Sequence, residues 1–205
     1  MRTAALIALL FPACAGAQQH DFRDVGRWTQ VFDAAERDAW QKPDEVIRAL
    51  GLAPEATVAD IGAGTGYFAV RLSPAVPLGR VYAVDVETEM VKHIALRAAA
   101  RGLANVIAVR GSPDDPRLPG KVDLVLLVDT YHHIEDREFY FSRLRGMLKP
   151  GGRVAVIDFK ADSPQGPPAE ARIAPGTVKA ELDRAGFMAA EEHTFLPYQY
   201  FLVFR

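Results

Sequence analysis

The chain is poor in the residues that carry the commonest built-in chemistries. It has 205 residues and a single cysteine, Cys14, which excludes an internal disulfide framework and any multi-thiolate metal site. Its five histidines stand at 20, 93, 132, 133 and 193, a spacing that offers no metal-ligand pattern. No Gly-x-Ser-x-Gly elbow occurs, so the usual serine-hydrolase signature is missing. No run is long and apolar enough to predict a membrane span. A formal charge of −2 provides no bulk positive field for nucleic acid or an anionic membrane. There is no internal repeat and no low-complexity tract. What remains is 49% apolar and 24% charged, a globular composition long enough for one domain with a substantial core.

The first residues have the form of a secretory signal peptide. Met1-Arg2 is a basic start, Ala4 to Phe11 is apolar, and Ala15-Gly16-Ala17 is a small-x-small cleavage pattern before the polar Gln18-Gln19-His20-Asp21. Cleavage after residue 17 predicts a mature chain of about 188 residues, periplasmic or secreted and free of cysteine. A mis-assigned start codon or a short core helix is the competing reading, because the basic segment is thin. Cys14 also suggests lipoprotein acylation, although Phe11-Pro12-Ala13 is a poor match to the residues that usually precede such a site.

Val58, Ala59, Asp60 and Ile61 form a short apolar run that breaks into glycines at 62, 64 and 66. A second apolar run, Val81 to Val84, ends in Asp85. This order describes a strand, a glycine turn, a helix and a second strand tipped by a carboxylate. The glycines permit positive φ and remove Cβ atoms where backbone would approach a ligand. Asp85, at the carboxyl end of its strand, is placed to accept hydrogen bonds from a ribose diol. A tight turn with no ligand is the plain structural alternative.

The pattern Asp-x-Gly-x-Gly-x-Gly differs from the Gly-x-Gly-x-x-Gly of dinucleotide folds, whose third glycine lies one position later. It resembles the first motif of class I S-adenosylmethionine-dependent methyltransferases, and Asp85 resembles the acid of their second strand. Two further segments are similar to that family: Val122 to Asp129 followed by Thr130-Tyr131-His132-His133, and Leu148-Lys149-Pro150-Gly151-Gly152 before Arg153 to Asp158. The resemblance runs from about Asp38 to Arg205. It implies a Rossmann-like α/β fold, with a seven-stranded, mostly parallel sheet ended by an antiparallel hairpin and helices on both faces. Residues 18–42 are then a helical segment and possible cofactor lid, and residues 43–205 the methyltransferase domain.

The same resemblance implies S-adenosylmethionine as cofactor and a small-molecule methyl acceptor. Asp60, Gly62, Ala63, Gly64, Gly66 and Tyr67 are its implied contacts at the methionine end, the turn amides meeting the carboxylate. Asp85 is implied for the ribose, Val86 for the adenine and Asp129 for the end of the fourth strand. Arg37 and Gln41 are further candidates at the methionine end. The family often has Gly-Asp-Ala after its third strand. Here Gly111-Ser112-Pro113 stands instead, so adenine recognition falls to Ser112 or to Asp114. Tyr131, His132 and His133 are the catalytic candidates, since neutral imidazole is a good base near neutral pH. Adjacent side chains diverge, so one histidine at most is expected to serve, and the alternative is a local role, capping a helix or pairing with Glu135 or Asp136. The absence of cysteine from the mature chain sets it apart from arsenite methyltransferases. An exported, non-catalytic binding protein that keeps the fold is the competing functional class, because the methyl donor is made in the cytosol.

Element by element, the periodicity predicts a helix over Val25 to Trp40 and another from Pro43 to about Gly51. Strands follow at Thr57–Ile61, Val81–Asp85, Asn105–Val109, Val122–Asp129 and Arg153–Phe159. Helices are predicted at Gly66–Leu72, at Thr88–Arg101 with Met90, Val91, Ile94, Ala95 and Ala98 inward, at Glu138–Leu148, and at Gly176–Ala185. The tail, Ala189–Thr194 and Tyr198–Phe204, is short-linked and so predicts an antiparallel hairpin.

Overall fold

A computed structural model of the chain describes Phe22 and residues 24–205; the leader predicted at 1–17 lies outside the described residues. Seven strands form one sheet: β1 (Thr57–Ile61), β2 (Arg80–Asp85), β3 (Val106–Arg110), β4 (Val122–Val128), β5 (Leu148–Phe159), β6 (Ala189–His193) and β7 (Gln199–Phe204). Their order is β3-β2-β1-β4-β5-β7-β6. The first five are parallel and β7 is antiparallel to both β5 and β6.

Both faces of the sheet are covered, which is why the central strands read as unbroken apolar runs. On one face Val58, Leu124, Leu126 and Val128 pack with Val46 of α3 (Pro43–Ala49), with Ala69 and Leu72 of α4 (Ala69–Leu72) and with Ile94 and Ala98 of α5 (Thr88–Ala100). On the other, Ala59, Ile61, Val125 and Leu127 pack with Tyr140, Phe141 and Leu144 of α6 (Arg137–Arg145) and with Val178 and Leu182 of α7 (Pro175–Arg184). The chain runs outward from β1 through β2 to β3 and then crosses back to lay β4 on β1's other side. In such sheets the crevice at this reversal, at the carboxyl ends of the strands, is where ligands sit.

Four expectations need correction. Val25 to Trp40 is not one helix but two, α1 (Val25–Phe32) and α2 (Ala35–Gln41), broken where Asp33 turns its carboxylate onto Arg97 of α5 at 2.8 Å. The helix predicted from Gly66 starts only at Ala69, because Gly62, Gly64 and Gly66 all take positive φ, which helical backbone does not allow. The helix predicted to run to Leu148 stops at Arg145. Leu148 instead opens β5 opposite Val122, and Lys149 to Gly152 form an irregularity before Arg153 meets Leu124. Ala95, expected inward, is exposed on α5.

Candidate active site

The glycine turn is closed largely on itself. The amides of Gly62 and Ala63 both donate to the Val84 carbonyl, and Gly66 donates to the Ala63 carbonyl. Gly64 donates to Asp85 Oδ2 at 2.8 Å. Of the amides expected to meet a ligand carboxylate, those of Ala63, Gly64 and Gly66 are thus engaged within the protein, the first two tying the turn to the end of β2 and the third closing the turn on itself. A Cβ on Gly62 would run into the Thr130 side chain, and one on Gly64 would lie 3.3 Å from Phe32. Phe32 of α1 thus roofs the turn.

Two acids stand at this turn on the same face of the sheet. Asp60 is 3% exposed and Asp85 is 8% exposed. Asp60 Oδ2 is buried without a hydrogen-bond partner. Burial pushes its carboxyl up to about 7, against the pull of Arg37. A buried acceptor left open in this way costs about 1–3 kcal/mol, a strong reason to expect a cationic or donor partner there. Asp85 accepts from Gly64 through one oxygen and from Glu87 through the other, at 2.9 Å. Burial raises its pKa while those amides hold it down. Each oxygen keeps a further lone pair, as a ribose diol requires. Val86, the next residue, is 42% exposed although apolar, which suits a ring stacked across the strand end.

Arg37 of α2 closes the site from above. Its guanidinium lies 4.1 Å from the Tyr67 ring centroid and donates to the Phe32 carbonyl at 2.9 Å, to Gln41 at 3.2 Å and to Asp129 at 3.3 Å. Gln41 donates in turn to Gln199 of β7 at 2.6 Å, and Gln199 to Asp129. Arg37, Asp129, Gln199 and Gln41 therefore form a closed polar ring. Asp129 adopts positive φ, which swings its side chain off the β4 line towards α2. Burial raises its carboxyl to about 7, opposed first by Arg37. The Arg71 guanidinium lies 4.0 Å from the same Tyr67 ring centroid, and the Tyr67 hydroxyl donates to Asp38. Its polar end is thus committed to α2.

Beyond Asp129 the three catalytic candidates separate. Tyr131 is fully buried and packs in the core between the sheet, α6 and α7. Its hydroxyl donates to Glu181 of α7 at 2.6 Å, and Arg137 binds the same carboxylate. It is a fastening between helices, and its catalytic assignment is corrected accordingly. His132 points the other way. Its Nδ1 lies 2.9 Å from Asp158 Oδ2, and its backbone amide also donates to Asp158 at 3.2 Å. Asp158, at the end of β5, is itself 2% exposed. An ionised carboxylate only accepts, so Nδ1 carries the proton and Nε2 presents its lone pair. His133 is exposed, with its ring 4.1 Å from that of His132. His132 thus pairs with Asp158 rather than with Glu135 or Asp136, and Asp136 caps α6 through the Phe139 amide.

Ser112 does not present a free hydroxyl. It donates to Asp114 at 2.7 Å and pairs with Asp115 in a tight turn. Asp114 is exposed. The residues missed in the sequence are Asp158, Gln199, Thr130 and the clamp of Asp33 on Arg97. Asp158 carried a readable signal: like Asp85 and Asp129, it is an acid that ends a buried apolar strand. The others become neighbours only through the fold.

Residues 59–154 match a family model described as a methyltransferase domain. An uncharacterised methyltransferase of Mycobacterium tuberculosis H37Rv is 33% identical over 106 residues, covering 52% of this chain and 52% of that protein. The chain thus matches about half the length of these curated relatives. Among solved structures, a SAM-dependent methyltransferase from Aquifex aeolicus superposes with a TM-score of 0.82 at 26% identity, covering 91% of this chain and 98% of that one. Magnesium protoporphyrin IX methyltransferase from Synechocystis PCC 6803, crystallised with bound SAH, shares the fold with a TM-score of 0.69 at 21% identity, covering 89% and 94%. These likenesses show a Rossmann-like methyltransferase fold.

Proposed function

We propose that this chain is an S-adenosylmethionine-dependent methyltransferase that removes a proton from a small-molecule acceptor with His132 and passes the methyl group to it. The observation that carries the reading is the His132–Asp158 pair at 2.9 Å, set at the same strand ends as the unpartnered Oδ2 of Asp60. A fold kept only to bind a ligand has no need of an imidazole held in one tautomer beside the ligand site.

The residues present fit the cofactor. Asp85 takes the ribose hydroxyls, and Val86 gives the adenine an apolar surface. Asp60 Oδ2 accepts the ammonium of the methionine end. Arg37 receives its carboxylate, since the amides of Ala63, Gly64 and Gly66 are engaged elsewhere. When bound, S-adenosylmethionine supplies an electrophilic methyl carbon on a sulfonium. The protein's own work is then to position the acceptor in line with that carbon and to take its proton. His132 Nε2 accepts the proton, and Asp158 stabilises the imidazolium that forms, as carboxylates do for paired histidines. Asp158 also fixes the ring's orientation through its second bond, to the His132 amide.

The leader-like residues 1–17 support an exported protein, periplasmic or secreted, acting on an acceptor outside the cytosol. Cell fractionation with amino-terminal sequencing tests this: intact Met1 in the cytoplasm would refute it. For the activity, the decisive experiment is isotope-labelled methyl transfer into a small-molecule extract by wild type and His132→Ala, with S-adenosylhomocysteine binding measured on both. Binding by both proteins and a labelled product from wild type alone is the expected result. Binding without any product from wild type would leave the non-catalytic binding protein as the better account.

A further inference from the structure

Asp60 and Asp85, the acids that face the glycine turn, are both buried. Phe32 of α1 roofs that turn, 3.3 Å from where a Gly64 Cβ would stand. A ligand that reaches Asp60 beneath this roof has to find α1 displaced. The two helices of the amino-terminal segment differ in how firmly they are held. α1 has no fully buried residue, and neither hydrophobic core includes Trp28 or Phe32. α2 is anchored at its end by Gln41, which is fully buried and bonded to Gln199 at 2.6 Å, and along its length by Asp38, which pairs with Arg71 at 3.0 Å. The joint between the loose helix and the fixed one is Ala34, with φ −56° and ψ 134° and no side-chain cap. A segment with few buried contacts opens at lower free energy than its neighbours, and a joint of this kind absorbs the change of direction.

Asp33 stands immediately before that joint. Both of its oxygens accept from Arg97 Nη1, at 3.0 and 2.8 Å, and Oδ1 also accepts from the Thr65 hydroxyl at 3.2 Å. The same Arg97 nitrogen donates to the Thr65 carbonyl at 2.9 Å. Thr65 lies inside the glycine turn, between Gly64 and Gly66. One guanidinium on α5 therefore fastens the end of α1 to the turn that α1 covers. The Arg97 and Asp33 side chains are only 14% and 18% exposed, so solvent ions screen the pair less than they would a surface pair.

We propose that Asp33, Arg97 and Thr65 form a latch that holds α1 closed over the turn and sets the rate at which the cofactor is exchanged; this rests on the cofactor reading above. The latch bonds join protein to protein, so they form equally well with or without a ligand beneath them. Weakening them raises the open population of free and loaded protein by the same factor. Entry and departure then quicken together and the dissociation constant does not move. A residue that supports the bound ligand behaves differently, because its loss is felt in dissociation.

The test is stopped-flow and calorimetric binding of S-adenosylhomocysteine to the full chain. Asp33→Ala should raise the association and dissociation rate constants each by about tenfold or more, the effect of losing hydrogen bonds to a charged group, with the dissociation constant unchanged. Arg97→Lys, which keeps the charge but not the guanidinium fork, should raise both by less. Amide exchange over residues 25–32 should quicken in Asp33→Ala while that of β1 and α3 stays at the wild-type level. If Asp33→Ala loses protection in β1, Asp33→Asn, which keeps the shape and removes the charge, takes the same measurements. Unchanged rate constants, or a weaker affinity carried by dissociation alone, in a variant with β1 and α3 protected overturns the latch while the cofactor reading stands. Failure of wild type to bind S-adenosylhomocysteine overturns both.

Discussion

Titrating cofactor affinity isolates the role of Asp60. Burial raises its carboxyl to about 7 and leaves Oδ2 without a partner. Below that pH the group is mostly neutral, so an arriving ammonium must first displace a proton. If the ammonium returns the bound-state carboxyl to the ordinary range of about 4, linkage makes the association constant for S-adenosylhomocysteine rise about tenfold per pH unit towards neutrality and then level off. From pH 5 to pH 7 this amounts to about 50-fold, or about 2.3 kcal/mol, because the group is still half protonated at pH 7. The ligand's own ammonium stays protonated over that range. The same raised value sets the sign for folding. The fold holds this proton more tightly than the unfolded chain does, so the stabilising contribution is full below about pH 4 and is lost as pH rises through about 7. Asp129, raised to about 7 as well, acts in the same direction. Ligand-free protein should therefore melt at a lower temperature at pH 8 than at pH 5, and saturation with ligand should reduce that difference. Calorimetry across this range on wild type and Asp60→Asn provides the assay. The variant should bind more weakly at pH 7 and lose about one proton's worth of slope. A wild-type dissociation constant that does not change between pH 5 and pH 7, with the fold intact, refutes Asp60 as the ammonium's partner.

Asp85→Ala should weaken S-adenosylhomocysteine binding by about 1.5–3 kcal/mol or more, the range for hydrogen bonds to a charged group. It should also lower the melting temperature, because the Gly64 and Glu87 amides lose their acceptor. His132→Ala should reduce kcat at least about 100-fold, the lower range for general-base catalysis, with cofactor affinity unchanged. Asp158→Asn should also lose turnover through the wrong tautomer, whereas His133→Ala should retain kcat and alter only the acceptor's KM. Tyr131→Phe should keep full turnover and lose about 1 kcal/mol of stability in denaturant unfolding, because its hydroxyl bonds Glu181 rather than anything at the site.

The regular part of the fold was legible because its signals are local. A buried strand announces itself by composition and length, and the antiparallel end of the sheet follows from the short link before β7, which cannot host a crossover. Boundaries failed where a distant partner decided them. Leu148 belongs to β5 because Val122 lies opposite it, and nothing within residues 138–148 shows that. The break between α1 and α2 is likewise set by Arg97, 64 residues from Asp33 in the chain.

In the site, residue type was legible and direction was not. Tyr131, His132 and His133 stand side by side in one short 3-10 turn, where one step along the chain swings a side chain to a different quarter. Tyr131 goes to the helix core, His132 to Asp158 and His133 to the ring of Phe22. Which ring is held in place beside the strand ends is decided by Asp158, which belongs to the neighbouring strand and is only a terminal acid in the sequence. The same logic separates the acids. Asp60 and Asp85 share a sheet face because β1 and β2 pair in parallel with Asp60 opposite Ala83. Asp158 lies on the opposite face, in register with Tyr200 of β7. Asp129, swung out by its positive φ, and Arg37 above it lie between the two groups. The reversal of strand order between β1 and β4 opens a gap at the carboxyl edge, and there the acids that hold a cofactor can face a base that belongs to the other side of the sheet. A methyl donor held by one face and an acceptor deprotonated from the other can meet only across that gap.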